Sequence, residues 1–390
     1  MAIKLERTIW PVGHGAFYTE QFKNENNDVL FTAVYDCGSY QQKTLRRCID
    51  EFIQNSGATQ INALFISHFH FDHVNELAYL LSKIHVENLF IPQLTEDYIL
   101  SILGTNTYIR TAYSQTGALD VLRRLYSGNG LENVDKILEV PQVNEDNLPE
   151  ENYRDQEDKG IYKYDKAPLI YSPDPLWEYI PCNIFTPDQT LVKKFIANGF
   201  GDGNGNVDIN RVFDELFQGN WTQIKAIYKQ VFTNGHNEYS MTVYSGFSKD
   251  VVVKGITANA QIFPMGSYGE IDLNQQNITA VLSEEIGCIY TGDFEAKQHI
   301  QELKQFYYQN HGVWNRAVAL QIPHHGSYNN YEDDLYDFPK LTFLSSAVRD
   351  RHHHPHLQTI TDITSKGLPV VIVRDVKIEA LIMVYSIVIV

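Results

Sequence analysis

The chain has 390 residues, is 43% hydrophobic and carries a formal net charge of −17. That length supports one large domain or two ordinary ones, and the acidity excludes a broad, sequence-indifferent nucleic-acid surface, which is normally basic. No apolar run reaches transmembrane length, the first residues lack a signal peptide's apolar core, and Cys37, Cys48, Cys182 and Cys288 form no CxxC pair, so a cytoplasmic protein with reduced core thiols is expected.

In chain order, short strands with tight turns come first. Thr8-Ile9-Trp10 leads into Pro11-Val12-Gly13-His14-Gly15, and an apolar run over 29–35 ends at Asp36-Cys37-Gly38-Ser39. The spacing predicts a helix over 43–55, with Leu45, Cys48, Ile49 and Phe52 on one face. A buried strand over 61–66 then runs into Ser67-His68-Phe69-His70-Phe71-Asp72-His73. A helix over 75–83 and a strand over 88–92 follow, and this alternation suggests a layered α/β domain. From 95 to 230 the pattern loosens, with helical periodicity over 108–127 and 212–232 around an acidic stretch from Asn144 to Asp158 that reads as a solvated loop. This segment is expected to be an elaboration on the core, a lid or partner surface, between a first part at 1–94 and a second at 231–390. Strand signals return at 240–244, 288–293, 317–322 and 341–345, and the end of the chain from Pro369 is β-rich.

Nine of the fourteen histidines fall in three segments, 68–73, 324–325 and 352–356, two of which directly follow apolar strands. Imidazoles and carboxylates delivered by strands to one sheet edge can hold a metal. His68 and His70, two apart in extended backbone, point the same way, while Asp72 and His73 follow in a turn and can serve a second ion. Asp293 closes the strand ending Thr291-Gly292-Asp293, where a carboxylate can bridge paired ions about 3.5–4 Å apart. His236 and Asn237 stand in a similar place before the strand at Ser240. The run Asp202-Gly203-Asn204-Gly205-Asn206-Val207-Asp208 imitates a calcium loop, but Val207 takes the glycine position and Phe213 the acidic twelfth, so a surface turn before a helix is expected.

In this order the segments resemble the metallo-β-lactamase superfamily, whose HxHxDH signature His68-x-His70-x-Asp72-His73 matches residue for residue. Within it, the chain looks most like the hydrolase domain of ComEC-type competence proteins. Val12-Gly13-His14-Gly15 resembles that group's VGQG, Asp36-Cys37-Gly38 its D-x-G, and Asn237-Glu238-Tyr239-Ser240 its N-x-x-S, with Gln276-Asn277-Ile278-Thr279 a poorer candidate. Thr291-Gly292-Asp293, His324-His325-Gly326-Ser327 and Ser345 with His354-Pro355 resemble its TGD, HHGS and late S…HP. Within these 390 residues no segment is expected to correspond to the membrane channel that accompanies that domain.

The resemblance implies an αββα sandwich, here with a large insertion, and two divalent ions, zinc or manganese. His68, His70 and His236 or Asn237 would hold the first ion. Asp72, His73 and a late histidine, His324 or His325 and in first place His324, would hold the second, with Asp293 bridging. His325, Ser327 and His354, together with Asp72, would then act on the scissile phosphate, and Asp36 would orient a ligand imidazole. Paired ions lower the pKa of a water between them, which implies a hydrolase, foremost a phosphodiesterase or nuclease. The alternatives are a small-molecule hydrolase acting on a cyclic nucleotide, lactone or thioester, and a component activated by a protein partner, as in a multi-protein defence system. The expected partners are a phosphodiester, including nucleic acid, no membrane, and a protein or second copy docking through 95–230.

Overall fold

A continuous apolar run such as 61–66 is what a strand covered on both faces requires, and both faces are covered here. A computed structural model of the protein describes residues 2–108, 116–143, 161–163, 171–174, 177–184, 189–231, 240–248, 262–264, 285–348, 353–375 and 380–388. The first sheet contains β1 (Ala2–Ile9), β2 (Gly15–Lys23), β3 (Val29–Ser39), β4 (Gln60–Phe65), β5 (His85–Pro92), β6 (Val134–Val140) and β7 (Ile161–Lys163). The second contains β8 (Tyr171–Asp174), β9 (Trp177–Cys182) and β10 (Thr242–Phe247). The strand β11 (Ile262–Pro264) returns to the first sheet. To the second belong β12 (Gly287–Tyr290), β13 (Ala317–Gln321), β14 (Leu341–Ser346) and β15 (Val370–Arg374), and β16 (Leu381–Val388) closes against β1 in the first. The spatial orders are 11-16-1-2-3-4-5-6-7 and 15-14-13-12-10-9-8, both mixed parallel and antiparallel.

Side chains of both sheets interdigitate in one core, among them Ala63, Phe65, Tyr179, Val243, Tyr290 and Phe343. The alternate residues Leu64 and Ile66 turn outward to pack with Leu45, Cys48, Ile49 and Phe52. Those four are the buried face of α1 (Gln42–Asn55), the face expected from spacing. The outer face of the second sheet is covered by another apolar layer with Leu320, Leu344, Ile300 and Ile363. Helix, sheet, sheet, helix is the αββα order. All four cysteines are buried and free.

The expected helix over 75–83 is present as the shorter α3 (Leu77–Leu81), and the turn that carries Asp72 and His73 forms a separate helical turn, α2 (Phe71–Val74). Asn75, between them, exchanges two hydrogen bonds with the Ser39 backbone at 3.0 and 2.8 Å, which competes with helix continuation. The helical stretch 108–127 appears as the end of α4 (Glu96–Tyr108) and as α5 (Thr116–Tyr126), with 109–115 outside the described residues. After α6 (Gln189–Phe195), the exposed turn 201–206 leads into α7 (Ile209–Phe217). The expected helix over 212–232 is broken after α7. Gly219, in the left-handed region at φ +81°, ends it before α8 (Trp221–Val231). Segment 95–230 thus adds a group of helices. It also supplies β6, which pairs in parallel with β5, and β9, which pairs with β10.

The topology places the chemistry at one edge. The parallel β3–β4 pairing ends at Tyr35 and Phe65, and just beyond it Asp36, still in β3, stands beside Ser67. Parallel β12 and β13 release Asp293 and His324 at their carboxyl ends, and Ser345 stands at the carboxyl end of β14 beside them. Ser67 O accepts from Met241 N at 2.8 Å and Met241 O accepts from the Tyr35 hydroxyl at 2.9 Å, tying the two sheets together there.

Candidate metal centre

Asp36 is fully buried and sits in left-handed backbone at φ +59°. Its Oδ1 accepts from Ser67 N at 2.7 Å, and its Oδ2 accepts from Ser67 Oγ at 2.7 Å and faces His73 Nδ1 at 2.8 Å. With Nδ1–H donated to this carboxylate, His73 presents Nε2 to the site. His68 is held by the same logic: its Nδ1 lies 2.9 Å from Ser67 Oγ and 3.0 Å from Ser240 Oγ. Ser240 Oγ also accepts from Asp293 N at 2.8 Å, so one hydroxyl positions a histidine of one sheet and a carboxylate of the other. His325 Nδ1 lies 3.3 Å from the Ser345 carbonyl, which leaves Nε2 facing inward.

Two groups of donor atoms result. Asp72, His73, Asp293 and His325 form one, and His68, His70 and Asp293 form the other, the ligand atoms within each lying within 4.8 Å of one another. Asp293 belongs to both. His73 Nε2 is 3.2 Å from Asp293 Oδ1, His68 Nε2 is 3.7 Å from Asp293 Oδ2, and His325 Nε2 is 3.3 Å from Asp72 Oδ2. The close backbone approach depends on glycine. Gly292 has φ +53°, and a Cβ there would lie 2.8 Å from Ser67 Cβ and Ser240 Oγ; a Cβ on Gly38 would lie 2.3 Å from His73 N.

Charge is concentrated in this buried space. Burial opposes ionisation of Asp72 and Asp293, yet His73 and neighbouring histidines hold both below the usual carboxylate range. Burial also opposes a charge on His73, but Asp293, Asp36 and Asp72 raise its pKa. Burial, then His73 and His70, hold His68 well below its ordinary value. His68 Nε2, His73 Nε2, His325 Nε2 and Asp293 Oδ1 are buried and make no well-formed hydrogen bond. Converging lone pairs left this way carry a desolvation cost that a divalent cation would offset, and a mixed imidazole–carboxylate set suits zinc or manganese. The donor set therefore fits a divalent metal ion.

Of the expected ligands, the structure brings together His68, His70, Asp72, His73 and Asp293. His236 and Asn237 lie outside the described residues, as does 276–279. The late histidine in the donor group is His325. His324, favoured for that place from sequence, has Nδ1 2.9 Å from Asn330 Nδ2, with its ring 5.5 Å from that of His354. His324 and His325 both occupy left-handed backbone, at φ +47° and +49°, and their rings lie 6.4 Å apart with planes 72° to one another. Ser327 is buried in the same loop, its N–H donating to His324 O at 2.8 Å. His354 lies at the edge, 5.9 Å ring to ring from His14.

Sequence reasoning gave His14 no role. Its Nε2 is 3.4 Å from Asp72 Oδ2 and its ring 4.0 Å from that of His325. A histidine between two glycines in a tight link between strands was the available signal. Ser67 and Ser240 were also given no positioning role: Ser240 entered only as the last letter of the N-x-x-S resemblance, and Ser67 only as the residue before the ligand run.

The family profile described as "Metallo-beta-lactamase superfamily" matches residues 30–95, the stretch from β3 to the end of β5 that contains His68 to His73. No curated protein matches the sequence. Among solved structures, the chain is similar to the metallo-beta-lactamase fold protein YhfI from Bacillus subtilis, at 8% identity and TM-score 0.38 over 96% of this chain and 97% of that one. A long form RNase Z from yeast is similar at 8% identity and TM-score 0.35, over 89% of this chain and 36% of that one. Unliganded yeast PDE1 is similar at 10% identity and TM-score 0.35, over 98% and 99% of the two chains.

Proposed function

We propose that this protein is a dinuclear metal-dependent hydrolase of the metallo-β-lactamase superfamily acting on phosphodiesters, with the ComEC-type hydrolase domain as its nearest likeness. The single observation that carries the proposal is the shared Asp293: one carboxylate completes both donor groups at the edge between the sheets. In this reading His68, His70 and Asp293 hold one ion, and Asp72, His73, His325 and Asp293 the other. His325 takes the place that the sequence favoured for His324. Bound divalent ions supply Lewis acidity and a water of near-neutral pKa.

The chain's own residues do the rest. Asp36 keeps His73 in the tautomer that offers Nε2, and Ser345 O does the same for His325. Ser240 fixes His68 and Asp293 relative to each other. His324 and His354, at the open side of the site, hydrogen-bond phosphoryl oxygens or return a proton to the leaving oxygen, with Ser327 between them along the chain. A net charge of −17 favours a second reading within the same chemistry, a short or cyclic phosphodiester in place of long duplex nucleic acid.

The test is hydrolysis of bis-p-nitrophenyl phosphate and of labelled single- and double-stranded DNA and RNA with manganese or zinc, beside Asp72→Ala. Metal-dependent cleavage that disappears in the variant supports the proposal, and polymer preference separates nuclease from small-ester activity. Absence of cleavage of every phosphodiester by protein that holds two metals per chain would sink it.

A further inference from the structure

Beside the metal centre lies an aromatic ledge. Tyr336 is buried, Tyr331 stacks on it at 5.2 Å and 14°, and Tyr328 stacks on Tyr331 at 5.9 Å and 13°. The column runs from the core to the surface and ends at Tyr328, whose side chain is 41% exposed. The ammonium of exposed Lys297 lies over the Tyr328 ring, 5.3 Å from its centroid. Both groups are tied to the donor loops. Tyr328 follows His325 by three residues and Lys297 follows Asp293 by four, so their Cα atoms lie within about 11 and 15 Å of those ligands. Tyr328 N donates to His356 Nδ1 at 2.8 Å, which fixes the loop to the 353–356 segment.

From this geometry we infer that Tyr328 and Lys297 form a nucleobase-binding ledge for the substrate of the neighbouring metal centre; the inference rests on the phosphodiesterase reading above. A tyrosine pre-stacked from the core presents its face at little ordering cost, and base–aromatic stacking is strong and tolerant of sequence. The lysine marks the accessible face. It is a flexible cation on a molecule of net charge −17, and a phosphate flanking the stacked base draws it off the ring. Base on Tyr328 and phosphate on Lys297 together match a nucleotide unit. An ester without a base would use only the lysine.

The experiment is fluorescence anisotropy with labelled single-stranded oligothymidine and an abasic strand of the same length, on the metal-loaded protein and on Tyr328→Ala, Tyr328→Phe and Lys297→Ala. Metal content serves as the check of folding. Tyr328→Ala should weaken oligothymidine binding about tenfold and leave the abasic strand unchanged. Tyr328→Phe should bind as the unmodified protein does, and Lys297→Ala should weaken both strands severalfold. Thymidine monophosphate that competes as well as the strand assigns the ledge to a free nucleotide, and competition by the strand alone assigns it to a polymer. Equal affinity for the two strands, or an equal loss on both in Tyr328→Ala, would overturn the ledge even if phosphodiesters are cleaved. Base-dependent binding without any hydrolysis would keep the ledge and overturn the phosphodiesterase reading.

Discussion

Two clusters of buried charge join the same pair of sheets, and they differ in how completely they are paired. In the first, Arg7 of β1 donates from Nε to Glu20 Oε1 at 2.5 Å, from Nη2 to Ser245 O at 3.2 Å and from Nη1 to Ile286 O. Glu20 also accepts from Tyr179 at 2.8 Å, Ser245 Oγ at 2.6 Å and Tyr290 at 2.8 Å. The charges of one sheet are closed by groups of the other. In the second cluster, Nε2 atoms of His68, His73 and His325 converge on Asp72 and Asp293 with orientations fixed from behind and lone pairs left facing inward. Burial of charge is common to both. A closed hydrogen-bond set makes the first a structural joint, and the open one gives the second donor atoms that could hold cations.

The strongest way to break this distinction is to remove Asp293. Asp293→Ala should drop hydrolysis to background and reduce bound metal, read by activity and elemental analysis, because both donor groups lose their shared member. Retained metal with full activity would end the proposed role. Next, Glu20→Gln should leave Arg7 buried without its counter-charge and lower stability by about 3–5 kcal/mol, measured by urea unfolding, while folded protein keeps its metal. Loss of metal at unchanged stability would mean that the two clusters are not distinct.

A smaller effect is expected behind the ligands. Asp36→Asn keeps the shape but removes the carboxylate that accepts from His73 and Ser67, and should lower metal affinity or activity about 10- to 100-fold. Titration with zinc and kcat/KM for bis-p-nitrophenyl phosphate both report it. A variant indistinguishable from the unmodified protein would reduce Asp36 to a packing residue.

The two clusters were unequally visible in the sequence. The ligand run 68–73 stood out because its chemistry lies in consecutive letters after an apolar strand. Asp293 was readable for the same reason. A layered α/β domain was readable from strands and helices that alternate with apolar periodicity, down to the face of α1, whereas the αββα order came from the resemblance to the metallo-β-lactamase superfamily. By contrast, Arg7 and Glu20 lie 13 residues apart on β1 and β2, and their remaining partners come from β9, β10 and the second sheet's later strands, with no local pattern to link them. The choice between His324 and His325 was hidden for another reason. It turns on two successive left-handed residues, a backbone feature that Pro-His-His-Gly permits but does not announce. The break after α7 depends similarly on Gly219, which closes one helix where the apolar period continues into the next.

Acid separates the clusters by the pH at which each gives way. Burial works against the Glu20 charge, but Arg7 and the donors around it hold its pKa below the ordinary value. A depressed carboxylate contributes stability that is present above its unfolded pKa, about 4.3, and is lost as pH falls through the lower folded value. The stability gap between the unmodified protein and Glu20→Gln should therefore be constant near neutrality and shrink only below about pH 4. Metal should leave earlier on the same descent, because protons compete with metal for His73, whose pKa Asp293, Asp36 and Asp72 raise against burial. Urea midpoints and bound metal, followed together from neutral to acid, should give two separate transitions, with metal loss first. A single transition in which metal and the Glu20 contribution disappear together would show that the joint and the donor cluster act as one unit.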